Sequence, residues 1–164
     1  NPLPGRLQRL WNETEHKISG GFPYSEGIYE DINKVICSQI YWDGQRSTAS
    51  IVKEYIAFEF SPEVVDDVAK VIDILESNHD RKHISECAEL AFSLINQVKL
   101  KLKPQVLKSW RWRILFLRTL IDREMYLTKG ELKGETLKKA FNELTTLYHA
   151  ENSHSMPIHP PVIK

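Results

Sequence analysis

Between residues 20 and 34 the sequence runs Gly20-Gly-Phe-Pro-Tyr-Ser-Glu-Gly-Ile-Tyr-Glu-Asp-Ile-Asn-Lys34, its densest mixture of carboxylates and aromatic rings. Glu26 and Glu30 stand four residues apart and share a helix face. That spacing can set two carboxylates close enough to act as an acid and a base, or to hold a cation. Tyr24 and Tyr29 offer rings that can stack on a sugar, and Asp31 adds a third acid. Tyr24, Glu26, Tyr29, Glu30 and Asp31 are therefore the candidate ligand-binding residues. A plainer account serves the same residues: acids in a helix's first turn stabilise its dipole, and the tyrosines fill the aromatic elbow at Phe22-Pro23-Tyr24. The spacing assigns no catalytic role to any of them.

Other chemistries find less support. Glu13-Thr-Glu-His16 and Glu76-Ser-Asn-His79 have the Glu-x-x-His spacing of helical di-iron sites. The first lies near a terminus of the chain and the second where its helix is ending, so no metal site is expected. Trp110-Arg-Trp-Arg113 interleaves rings with cations, as single-stranded nucleic-acid binders do. Helical spacing instead places Trp110 with Ile114, Leu117 and Ile121 in a core stripe, and lets Arg111 reach the polar side with Arg118 and Asp122. No Ser sits in a nucleophile elbow and no Gly-rich loop could cradle a phosphate, so no cofactor is expected. Cys37 and Cys87 lie in apolar helical patterns and read as buried free thiols.

The elements that must position these residues read as helices throughout. At 164 residues, with 41% hydrophobic and 27% charged residues, the chain is long enough for a sizeable core. Apolar residues recur at helical spacing, and no long alternating stretch suggests a sheet. The expected fold is all-α, an antiparallel bundle or stacked hairpins of about seven helices. Residues 1–152 form one helical domain and 153–164 an extended, Pro-rich tail. Expected helices cover about Gly5–Ile18, a stretch capped by Ser25, a third capped by Ser47 or Thr48, a fourth from Pro62, then about His83–Leu102, Gln105–Leu127 and Glu135–Glu151. No apolar run reaches the ~18 residues of a membrane span.

Charge balances at 22 Lys+Arg against 22 Asp+Glu, which lacks the global excess of a dedicated nucleic-acid binder. It is nonetheless segregated. Glu54 to Glu76 holds seven acids and one base, whereas Lys99 to Arg118 holds seven bases and no acid. Either the two stretches pack close together and offset each other, or the basic one meets an acidic partner. The second option would make the chain a self-standing helical interaction module.

Residues Gly20–Lys34 together with Trp110-Arg-Trp-Arg-Ile-Leu-Phe-Leu-Arg-Thr-Leu-Ile-Asp122 carry a resemblance. They resemble the C-terminal helical region of large, poorly characterised bacterial glycoside-hydrolase-like proteins of Bacteroides-type organisms. The resemblance covers most of the chain and implies carbohydrate processing in an exported protein, periplasmic or at the cell surface. It places a catalytic barrel upstream of Asn1, as the partner on which this piece packs, and implies an oligosaccharide as the ligand of the Tyr24–Asp31 segment. It transfers no catalytic residue. Glycoside hydrolysis needs two carboxylates on opposite sides of the scissile bond, which one helix turn cannot supply. The chain is expected to be an accessory domain, non-catalytic alone.

Overall fold

The computed structural model describes residues 1–22, 31–80, 83–149 and 161–163. Among them the regular structure is entirely helical, with no strand. The α-helices are α1 (Pro4–Thr14), α2 (Asp31–Trp42), α3 (Thr48–Glu59), α4 (Val65–Ser77), α5 (Cys87–Lys101), α6 (Pro104–Leu107), α7 (Trp110–Leu127) and α8 (Glu135–His149). Helices α2 to α5 pack in sequence order, α7 lies against α5, and α8 lies against α7. Helix α1 lies across α2, α3 and α4.

Local chemistry explains most of these boundaries. The Ser47 side chain accepts from the Ser50 N–H at 3.1 Å and starts α3. After Phe60, Ser61 accepts from the Glu63 N–H and opens a short 3-10 turn, Pro62–Val64, that leads into α4. Ser109 accepts from the Trp112 N–H at 3.2 Å, so the single helix expected over Gln105–Leu127 is two, α6 and α7, with a fresh N-terminus between them. Helix α5 begins at Cys87, four residues later than His83, because Asn78 holds the connection: its side-chain oxygen accepts from both the N–H and the hydroxyl of Ser85.

Helix α1 has no capping side chain of its own, since Leu3 occupies its N-cap and Pro4 supplies no N–H. Glu76 caps it from α4. One carboxylate oxygen accepts from the Gly5 N–H and the other from the Arg6 N–H, each at 2.8 Å. Asn33 of α2 clasps the residues before it, accepting from Leu3 N–H and donating to the Asn1 carbonyl.

Two apolar clusters fill the interior. The larger gathers Ile36, Ile56, Val68, Ile72, Ile95 and Trp112 from α2, α3, α4, α5 and the first half of α7. Trp112 sits at 1% exposure, edge-on to Phe60 at 5.8 Å between centroids. The smaller joins Leu117, Ile121 and Met125 of α7 to Leu137 and Ala140 of α8, and Ile163 of the tail packs on it.

Two expectations need correction. Trp112, not Trp110, is the core tryptophan, and Ile114 is only half-buried. Leu117 and Ile121 of the expected stripe are buried, but at its N-terminal end α7 turns Trp112 and Leu115 inward instead. Nor are both thiols buried: Cys87 is exposed at the first position of α5, while Cys37 is half-buried and burial raises its pKa. None of the helices is long and apolar enough to cross a membrane among the described residues.

Candidate functional site

Of the five candidate ligand-binding residues, Tyr24, Glu26, Tyr29 and Glu30 lie outside the described residues, as does the expected Ser25 cap. Asp31 is described, at the first turn of α2. Its Oδ2 accepts from the Tyr55 hydroxyl at 2.7 Å and from Arg111 Nε at 2.8 Å, and its Oδ1 accepts from Arg111 Nη2 at 3.2 Å. Glu59 approaches the same guanidinium at 3.5 Å. Charge-assisted, two-pronged contacts of this type are the strong members of the hydrogen-bond family. They join the start of α2 to the middle of α3 and to the first turn of α7.

The ionisations follow the geometry. Tyr55 is 7% exposed, and burial pushes its pKa far above the usual phenol range, with the Asp31 charge and hydrogen bond adding to the rise. Burial acts to lower the Arg111 pKa, but the hydrogen bond and charge of Asp31, with the charge of Glu59, outweigh it and leave the value raised. Arg111 also lies over the Trp110 ring, 4.3 Å from its centroid, which gives that half-buried tryptophan its place. Sequence reasoning sent Arg111 toward Arg118 and Asp122. Those two pair with each other at 2.9 Å, and Arg111 serves α2 and α3 instead.

On the other side of the candidate segment, Gly21 lies so close to Tyr41 of α2 that a Cβ there would stand 2.5 Å from the ring. A larger residue there would have to push the ring aside. Near the ends of that segment, Asp31 is held by Tyr55 and Arg111, while Gly21 passes close to Tyr41.

Beside Gly21 runs an open groove of about 430 Å³, walled by Trp11 of α1 and Tyr41, with Glu15, His16 and Gln45 at its rim. Trp11 packs against the larger core cluster, its indole N–H donates to the Gly44 carbonyl at 3.0 Å, and a Cβ on Gly44 would stand 2.8 Å from the ring. The signal available in the sequence was the pair of glycine steps, Gly20-Gly21 and Asp43-Gly44, each next to an aromatic wall.

The segregated charges meet across helix contacts. Lys101 pairs with Asp67 at 3.0 Å, Arg111 with Asp31 and Glu59, Arg113 with Glu143, and Lys99 lies 5.5 Å from the Phe116 ring centroid. Two members of the basic stretch thus answer acids of the Glu54–Glu76 stretch directly. Of the Glu-x-x-His pairs, Glu76 is committed to capping α1, and His79 meets the Asn1 amide at 3.3 Å. Among the described residues no three His, Cys, Asp or Glu side chains gather to hold a metal. No protein-family model, curated protein or solved structure matches the chain.

Proposed function

We propose that this chain is a helical accessory domain of a carbohydrate-active bacterial protein, non-catalytic alone, whose helices stack as hairpins and present the Tyr24–Asp31 segment to an oligosaccharide. The observation that carries the reading is the tether at the end of that segment. Asp31 is held by Tyr55 and Arg111, and ahead of the segment the backbone at Gly21 passes close to the Tyr41 ring. A tethered end reduces the entropy a recognition segment loses when it closes on a ligand. The segment's aromatic and carboxylate side chains suit ring stacking and hydroxyl binding.

Asp31 in this reading holds the segment's end, since its lone pairs already serve two neighbours. The competing reading, an acidic partner on the Lys99–Arg118 stretch, has to share Lys101, Arg111 and Arg113 with carboxylates within the chain. The test is calorimetric titration with plant and host-glycan oligosaccharides, alongside Tyr24→Ala and Glu26→Ala. Both variants should weaken binding with the fold intact, and no preparation should release product from any sugar.

A further inference from the structure

We propose that the groove between α1 and the α2–α3 turn is a stacking subsite for one neutral, hydroxylated ring of an oligosaccharide. The inference rests on the carbohydrate reading above and adds a second place of contact, built from residues outside the Tyr24–Asp31 segment.

One side of the groove is a pair of aromatic rings packed on each other, and the backbone lies against both. Trp11 and Tyr41 stand 5.8 Å apart between centroids with planes inclined at 59°. The Gly44 carbonyl holds the indole N–H, and the backbone at Gly21 lies against the Tyr41 ring. Buried Ile40 closes the floor. Rigid rings present stacking surface without the rotamer loss that a flexible wall would suffer on binding. At about 430 Å³ the groove is of small-molecule size.

The rim supplies hydrogen-bonding groups that no described side chain occupies. The side chains of Glu15, His16 and Gln45 and the Tyr41 hydroxyl line the groove and make no hydrogen bond or ion pair to another described residue. A carboxylate accepts, an amide and a phenol both accept and donate, and an imidazole does either. That set matches the alternating donors and acceptors of ring hydroxyls, while the C–H face of a pyranose matches the aromatic walls. The charge selects against anions. No Lys or Arg lines the groove among the described residues, and Glu15 repels a phosphate or a uronate.

The experiment is a proton–nitrogen correlation NMR titration of the whole chain with cellotetraose, xylotetraose and mannotetraose, and with a glucuronate-bearing tetrasaccharide as the charged control. A neutral sugar should shift the Trp11 indole N–H and the Gly44 and Gln45 amides in a saturable way. His16→Ala and Gln45→Ala, both at exposed positions and checked by unchanged melting, should each weaken that binding about fivefold, the scale of one lost hydrogen bond. Binding whose shifts fall only within residues 23–31, unaffected by these two variants, would overturn the subsite and leave the proposed function standing. Preference for the glucuronate sugar would also overturn it. No shift anywhere with any sugar would remove both.

Discussion

Arg111 and Asp31, 80 residues apart in the chain, meet through two hydrogen bonds of 2.8 and 3.2 Å. Asp31 also takes the Tyr55 hydroxyl, and Glu59 stands 3.5 Å from the guanidinium. The pair is partly screened, at 31% and 19% side-chain exposure, so its worth lies below that of a fully buried pair. Arg111→Ala would leave Asp31 and Glu59 without their shared cation, with the Tyr55 hydroxyl still on Asp31. We expect a loss of about 1–3 kcal/mol, read by urea unfolding, with Arg111→Lys losing less because it keeps the charge but not the fork. A neutral result for Arg111→Ala would show that water replaces the guanidinium.

Tyr55 gives the same cluster a pH dependence with a definite sign. Its pKa in the folded chain is raised above the unfolded value, so folding favours the protonated phenol. That contribution is fully present below the unfolded pKa of about 10 and is lost as pH rises beyond it. Stability measured by urea melts should fall as pH rises through about 10 and beyond, because the unfolded chain gives up the phenolic proton that the folded chain keeps. Tyr55→Phe should flatten that fall while losing stability at neutral pH, since Asp31 forfeits a donor. Equal alkaline slopes for the two proteins would contradict the assignment.

Glu76 caps α1 from another helix, which makes α1 dependent on α4. Glu76→Ala should cost about 0.5–2 kcal/mol, the usual range for a lost cap. Hydrogen exchange should locate the loss: amides of Leu7 to Leu10 should speed up more than those of α5. Uniform acceleration throughout would mean that α1 does not unfold separately.

The approach of Gly21 to Tyr41 leaves no room for a methyl group. Gly21→Ala should displace the Tyr41 ring or the backbone that crosses it, at a cost of about 1–3 kcal/mol. Ring-proton shifts of Tyr41 would report the displacement directly. Unchanged shifts and unchanged melting would show that the crossing is looser than its geometry.

The helices were legible because their signals are local. Ser47 capping α3, Pro62 opening the turn before α4 and the apolar period of α4 each act within a few residues. The site was legible only as a composition. Nothing near Asp31 names Arg111 as its partner, because a contact over 80 residues depends on how α2, α3 and α7 pack. The choice of Trp112 over Trp110 for the core has the same origin. Both tryptophans belong to one helix, and packing partners such as Phe60 and Phe116, with the cation Arg111 over the other ring, decide between them.

The central claim, that a non-catalytic helical domain binds an oligosaccharide through an anchored segment, is tested most directly by calorimetric titration of the chain with the glycan panel, with Tyr24→Ala and Glu26→Ala beside it. The account predicts saturable heat from at least one oligosaccharide, weakened in both variants and accompanied by no released sugar. The absence of heat from every sugar, binding untouched by either variant, or turnover of a glycosidic bond by this chain alone would contradict it.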